Sequence, residues 1–419
     1  MSKHVAIIGG GVVGMATAWF CQQQGHQVTV IDRKPSQRDG CSFGNAGMLV
    51  PSHVIPLAAP GMIAMGLKWM WNPESPFYIR PRASMDLVRW MWQFKKSCTQ
   101  QHVQRSAPLL RDLHLRSREL YQQLQTELPD GFGLKTRGLL MLCKTAAGLD
   151  EEAKTAAKAE SLGVPAQVLD AEATSKLDPN VQMDIRGSVF YPKDCHLSPN
   201  RLMRAIESEL ENNGCRFCWE TESLGFTKSG GRIENVVTSA GEIDADEFVV
   251  CGGVWSTMLG HDLGVALPMQ AGKGYSVTID QPAELPELCS LLHEARVAVT
   301  PMGSSLRVGG TMEIAGIDQS ISQSRVRGIL QSVPKYFPAF KASDFEGQPV
   351  WSGLRPCSPD GLPYLGRTAK WSNLVVSTGH AMMGISLAMV SAEIVANLLS
   401  HQTPEIEGLR MLSPDRYAR

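Results

Sequence analysis

Lys3 to Ile8, apolar at every position from Val5 onward, has the pattern of a strand covered on both faces. A glycine turn follows over Gly9 to Gly14, and from Val12 to Gln24 the apolar positions take helical spacing. Gly25 is placed to cap that helix, and Gln27 to Ile31 forms a second apolar run closed by Asp32. These pieces make one β-α-β unit of roughly 30 residues. From about residue 55 to 130 the pattern changes, with Trp69, Trp71, Trp90 and Trp92 between helical stretches broken by Pro73, Pro76 and Pro81. Short strand-like and helical pieces alternate from about 131 to 195. Asn200 to Asn213 then reads as an amphipathic helix ended by Gly214. Strand-like runs follow at Cys215–Glu220, Val236–Ser239 and Phe248–Cys251, and again around Thr278, Val297, Val299 and Val308. A glycine-rich strand–turn–helix begins at Leu374 and ends near Leu399.

This order predicts an α/β protein of two interleaved domains. Residues 1–55, 196–265 and 346–419 are assigned to a discontinuous nucleotide-binding domain. Residues 56–195 and 266–345 are assigned to an inserted, mainly antiparallel β-sheet domain that holds the substrate. At 419 residues and 43% hydrophobic, the chain is long enough for both cores. Its 40 Lys and Arg against 41 Asp and Glu leave no basic surplus, so no nucleic-acid partner is expected. No signal peptide and no unbroken apolar run of roughly 18 residues is seen, and the ten cysteines are scattered; a cytoplasmic protein with reduced thiols is expected. Cys215 and Cys218 form a CxxC, but in a strand positions i and i+3 face opposite ways, which favours structural thiols over a redox or metal pair. No metal site is predicted.

Gly9-Gly10-Gly11-Val12-Val13-Gly14 fits G-x-G-x-x-G, preceded by a strand and opening a helix, with Asp32 at the end of the next strand. Gly9 permits the turn, Gly11 lets the backbone approach a pyrophosphate, and Gly14 lets helix and strand pack closely. The helix N-terminus at Val12 and Val13 favours phosphate, and Asp32, with Arg33 beside it, suits a ribose diol rather than a 2′-phosphate. The turn alone does not separate FAD from NAD. Three further stretches do. Cys41 to Met48, including Ser42, Asn45, Ala46 and Gly47, supplies small and polar groups for a flat, polar-edged ring. Val249 to Ser256 runs a buried strand into Gly252, Gly253 and Trp255. Ser377 to Ser386, with Gly379, His380, Met383, Gly384 and Ile385, aims a helix N-terminus at a ligand and favours negative charge there.

Together with the turn, these stretches resemble the D-amino-acid oxidase (DAO) superfamily of FAD-dependent oxidoreductases, and within it the bacterial D-amino-acid dehydrogenase branch. Ala58-Ala59-Pro60-Gly61, Lys273-Gly274-Tyr275-Ser276, Leu306 to Glu313 and Gly353-Leu354-Arg355-Pro356 followed by Pro359-Asp360-Gly361 carry the same resemblance, which runs from about residue 4 to 400. It implies a glutathione-reductase-like FAD-binding Rossmann domain and hydride transfer from a substrate Cα to flavin N5. It places Arg355 on the family's carboxylate-binding arginine, and a guanidinium does bind a carboxylate in two parallel bonds. Tyr275 either faces the substrate or packs beside the flavin; His53 either lines the pocket or is a satisfied histidine; His380 is expected to contribute backbone rather than ring. Sarcosine-oxidase relatives attach flavin through a cysteine; the corresponding position is Gly353, with Cys357 nearer Pro359-Asp360, so noncovalent FAD is expected. The implied substrate is a small D-amino acid, with D-proline or 4-hydroxy-D-proline suggested by the segment Met48 to Pro60. The implied electron acceptor is a quinone or another respiratory carrier. The alternatives are a glycine- or sarcosine-type oxidase, a flavoprotein subunit that needs partner chains, or an NAD-binding protein without flavin. Trp69, Trp71, Trp90, Trp92 and Phe94, followed by Lys95 and Lys96, form either a peripheral inner-membrane contact or packing over the substrate domain.

Overall fold

The computed structural model describes residues 2–70, 74–128 and 131–418. Trp71 and Pro73 lie outside the described residues. The first sheet has six strands in the order Tyr364–Arg367, Leu374–Thr378, Glu247–Val250, His4–Ile8, Gln27–Ile31 and Arg216–Cys218. All its pairs are parallel except the first. Val5, Ile7, Val28 and Val30 face one side and Ala6, Ile8 and Phe248 the other, each in a separate buried cluster, which explains the continuous apolar runs. Ile8 pairs with both Ile31 and Val250, so the three strands end together beside the glycine turn.

Helix Val12–Gln23 crosses one face and packs against the helix Gly384–Leu399. The latter is apolar on most of its surface because most of it is covered: the first helix lies against it, and so does the long helix Gln100–Glu127. The stretch Ala381–Leu399 that contains it is apolar and long enough by composition to span a bilayer, yet most of it is buried inside the protein. Leu110, Leu113 and Tyr121 of the long helix join Met15, Ile385 and Val390 in one core, and Tyr121 donates to the Ile385 carbonyl at 2.7 Å. Strands Ser223–Ser229, Arg232–Thr238 and Gly241–Asp244 make a small meander on the other face.

The second sheet has nine strands, running Val350–Cys357, Gln270–Asp280, Ser305–Ile314, Val297–Met302, Cys289–Leu292, Leu139–Cys143, Gly187–Tyr191 and Gln167–Asp170, with Phe77–Ile79 added to Ser305–Ile314. Most pairs are antiparallel; Cys289–Leu292 with Leu139–Cys143, and Phe77–Ile79 with Ser305–Ile314, are parallel.

Two boundaries differ from the sequence reading. Val350–Cys357, assigned there to residues 346–419 of the nucleotide-binding part, is the edge strand of the second sheet, with Arg355 paired to Gly272. Helix Gln100–Glu127, assigned to the inserted domain, belongs to the core of the first sheet. Both differences have one cause: an apolar strand or stripe declares that it is buried, not against what. The CxxC strand is shorter than expected, Arg216–Cys218, and its thiols do point apart, Cys215 into the helix-side core and Cys218 against the opposite one.

Candidate active site

One cavity of about 990 Å³ takes its wall from both sheets. At one end is the glycine turn. Gly9 has φ +116°, and a Cβ there would stand 2.5 Å from the Cys251 carbonyl oxygen. A Cβ on Gly14 would overlap the Gly9 carbonyl oxygen, so helix and turn touch only because both residues are bare. At Gly11 a Cβ would meet only the Ser42 hydroxyl, 3.4 Å away, and would project into the cavity. Ser42 accepts from Val12 N–H at 2.8 Å, while Asp32 accepts from Gly10 N–H at 2.7 Å and Lys34 N–H at 2.8 Å. The Asp32 carboxylate is thus held at the wall beside Arg33, whose guanidinium lies 4.1 Å from the Trp255 ring centre. This cradle fits the diphosphate and ribose of an extended dinucleotide.

The sequence reading missed Arg38. Its Nε donates to the Gly10 carbonyl at 2.9 Å, its guanidinium lies over Trp219, and Glu207 is its ion-pair partner at 3.0 Å. It missed Arg307 as well. That buried side chain donates to the carbonyls of Phe43 and Asn45, both at 2.8 Å, and to Thr278 Oγ1 at 2.9 Å. No carboxylate lies within ion-pair distance of it among the described residues, and burial pulls its pKa down to about 10. One strand of the second sheet therefore clamps the loop of the first that was expected to face the flavin. Charge-assisted bonds contribute about 1.5–3 kcal/mol each; if the loss of loop anchoring costs FAD binding the worth of one of them, Arg307→Met should weaken it by about 10- to 100-fold, with Arg307→Lys between it and wild type. Titrating apoprotein with FAD by fluorescence quenching checks this.

Of the residues singled out beforehand, Gly9, Gly11, Val12, Val13, Asp32, Arg33, Ser42, Asn45, Ala46, Met48, His53, Gly252, Gly253, Trp255, Tyr275, Arg355, His380, Met383, Gly384 and Ile385 share this wall. Gly14, Gly47 and Gly379 do not. They stand behind it, with Gly47 against the Leu197 carbonyl and Gly379 against the Tyr364 ring. His380 Nε2 shares a hydrogen bond with Ser391 Oγ at 2.9 Å, and burial drops its pKa to about 4, so the ring is neutral and already engaged.

Arg355 reaches the wall across the neighbouring strand. Any side chain at Gly274 would overlap its guanidinium, so the glycine of Lys273-Gly274-Tyr275 is the space in which Arg355 lies. Nη1 donates to the Thr311 carbonyl at 2.6 Å, and no carboxylate lies within ion-pair distance among the described residues. Burial lowers its pKa, but Arg remains charged in proteins. A desolvated cation without a counter-ion is an anion site. Tyr275 is on the same wall with its hydroxyl turned away, donating to Glu313 Oε2 at 2.7 Å; burial and then Glu313 push its pKa up. Glu313 sits among Lys273 at 3.8 Å and Arg325 at 3.6 Å. His53 Nδ1 is 3.1 Å from Ser52 Oγ, and burial lowers its pKa.

A dinucleotide cradle that opens onto a largely apolar chamber with the buried Arg355 guanidinium in its wall suits a flavoenzyme that oxidises a small acid. The chain belongs to the DAO family of FAD-dependent oxidoreductases, whose family model matches residues 4–398. It is 33% identical over 425 residues to the D-amino acid dehydrogenase of Bradyrhizobium diazoefficiens, covering 99% of both chains. With the D-amino acid dehydrogenase of Agrobacterium fabrum it shares 33% identity, over 99% of this chain and 100% of that one. Among solved structures it is similar in fold to glycine oxidase from Geobacillus kaustophilus, with a TM-score of 0.79 at 23% identity over 99% of each chain. L-proline dehydrogenase from P. horikoshii gives 0.74 at 18% identity, over 99% of this chain and 98% of that one.

Proposed function

We propose that this protein dehydrogenates a small D-amino acid, with Arg355 binding the substrate carboxylate. The observation that carries this reading is the unpaired Arg355 guanidinium in the wall of the cavity that begins at the glycine turn. The relatives named above support the D-amino acid. Bound FAD supplies the acceptor for the hydride that leaves Cα. The rest is the work of this chain. Arg355, fixed by Thr311 and by the space at Gly274, holds the carboxylate in one plane and so sets where Cα stands. Met48, Ile55, Leu57, Met62 and Met65 give the chamber an apolar wall that excludes water and accepts a hydrocarbon side chain or ring. That lining suits the narrower reading of D-proline or 4-hydroxy-D-proline as substrate. Cys357 does not line the cavity, and Gly353 carries no thiol, in keeping with noncovalent FAD.

The test is anaerobic bleaching of the bound flavin across D- and L-amino acids, glycine and sarcosine. Bleaching by D-amino acids, with D-proline among the fastest, supports the reading. Bleaching by L-amino acids alone, or by glycine and sarcosine alone, overturns it.

The proposed acceptor is a membrane quinone or another respiratory carrier, reached from the cytoplasmic side. Helix Met85–Ser97 buries Leu87 and Trp90, the latter donating to the Cys357 carbonyl at 2.9 Å. Met85, Val88, Met91 and Trp92 stay exposed, with Lys96 over the Trp92 ring. An apolar helix face beside lysines suits an anionic membrane surface. The protein should float with phosphatidylglycerol vesicles and lose that association in Val88→Glu/Trp92→Glu; retention in the soluble fraction would refute the membrane contact.

A further inference from the structure

A chain of hydrogen bonds leads from the cavity wall to a buried carboxylate that the reading above does not use. Asp194 lies in the turn between strands Gly187–Tyr191 and Cys195–His196 and is fully buried. It has no cation within ion-pair distance among the described residues. Its two oxygens both accept from Ser52: the backbone N–H at 3.0 Å and the hydroxyl at 2.6 Å. A serine hydroxyl has one proton, and here Asp194 receives it. At 3.1 Å from His53 Nδ1, the same oxygen can only accept. His53 therefore carries its hydrogen on Nδ1 and presents a bare Nε2, for which no partner exists among the described residues. The ring is part of the wall that also contains Arg355.

We propose that His53 removes the proton of the substrate's ammonium group and passes it through Ser52 to Asp194. The proposal rests on the amino-acid dehydrogenase reading of this cavity. Amino acids are ammonium ions near neutral pH, and an ammonium has no lone pair with which to expel hydride from Cα. In the transfer, the substrate N–H bond breaks and its electron pair stays on nitrogen. The proton bonds to His53 Nε2, the Nδ1 proton moves to Ser52 Oγ, and the Ser52 hydroxyl proton moves to Asp194. The amine, His53, Ser52 and Asp194 all end neutral; no electron is gained or lost. His53 is the catalytic residue here, and Ser52 and Asp194 act through it.

The surroundings suit this direction. Burial pushes Asp194 up to about 7 against the opposing pull of Ser52 and Arg118, so it can receive a proton near neutral pH. Burial lowers His53, so the ring does not keep the proton. The groups facing His53 are Glu152, Arg296 and His114, the last neutral because burial drops it to about 3. Those facing Asp194 are Arg118, Ser52, Cys195, Cys289 and Tyr191; burial raises both thiols and the phenol, so Arg118 is the charged one.

Stopped-flow flavin reduction by the fastest D-amino acid, followed against pH in wild type, His53→Asn and Asp194→Asn, tests the relay. In wild type the rate should fall as pH drops through about 7, where Asp194 becomes protonated and can no longer receive. In both variants the acid limb should move to the more alkaline pKa of the substrate amine. A positioned general base contributes about 10²–10⁴-fold, so the rate at pH 7 should fall by at least about 100-fold and recover toward wild type at high pH. Substrate affinity in this experiment should change little, since Arg355 is intact. Asp194→Asn keeps an acceptor for Ser52; should it still fail to hold FAD, Ser52→Ala replaces it as the second variant. Unmoved pH profiles in a wild type that does bleach overturn the relay alone. A wild type that no amino acid bleaches overturns the dehydrogenase reading and the relay with it.

Discussion

Arg355→Ala should lower kcat/KM for amino acids by roughly 10²–10³-fold while FAD stays bound, because removing one partner of a desolvated, hydrogen-bonded charge pair costs about 2–5 kcal/mol. Most of the loss should appear in KM, with some in kcat, since the lost contact both binds and orients. Arg355→Lys keeps the charge but loses the planar fork, and should fall between the two. Gly274→Ala gives an independent check. Its new methyl would occupy the guanidinium's place, and the flexible Arg355 side chain would swing away before the strand moves. That variant should fold, keep its yellow colour and resemble Arg355→Ala in steady-state kinetics. Near-normal kinetics in Arg355→Ala would remove it from the carboxylate role.

Gly14→Ala should leave the protein largely without flavin and markedly less stable. Here the obstruction is backbone, the Gly9 carbonyl, which cannot give way without lifting helix Val12–Gln23 off its strand. Overpacking of this kind costs about 1–3 kcal/mol or more, and it falls on the turn that cradles the diphosphate. Gly11→Ala separates the two roles of the turn. Its methyl would enter the cavity, so the thermal midpoint of the apoprotein should be unchanged while FAD affinity drops. Absorbance at the flavin maximum and the melting temperature, measured with and without added FAD, check both variants. A fully yellow, equally stable Gly14→Ala would refute the packing account.

Parts of the site were legible because their chemistry is local. The turn from Gly9 to Gly14 and Asp32 lie within one β-α-β unit, where spacing along the chain is spacing in space. The segment from Leu374 to Leu399 announced both its strand and its helix. Arg355 stood out through the resemblance, and the structure gives it a physical setting: a bare Gly274 opposite and no acid nearby. Arg307 lay within the segment Leu306 to Glu313, yet nothing local signalled that it reaches across to Phe43 and Asn45. Ser52 and Asp194 were both passed over, since neither has a pattern of its own.

The sequence by itself determined the nucleotide-binding unit, the α/β class and the family, because apolar periodicity, glycine spacing and motif order are properties of neighbouring residues. It did not determine which sheet Val350–Cys357 would join or which core Gln100–Glu127 would cover. An apolar face is satisfied equally by any apolar partner, and the partner is chosen by the packing of the whole chain. The tertiary structure alone brought Ser52 to Asp194, 142 residues apart, and His53 with Arg355 to one wall. Hydrogen bonds across such separations leave no trace in local spacing.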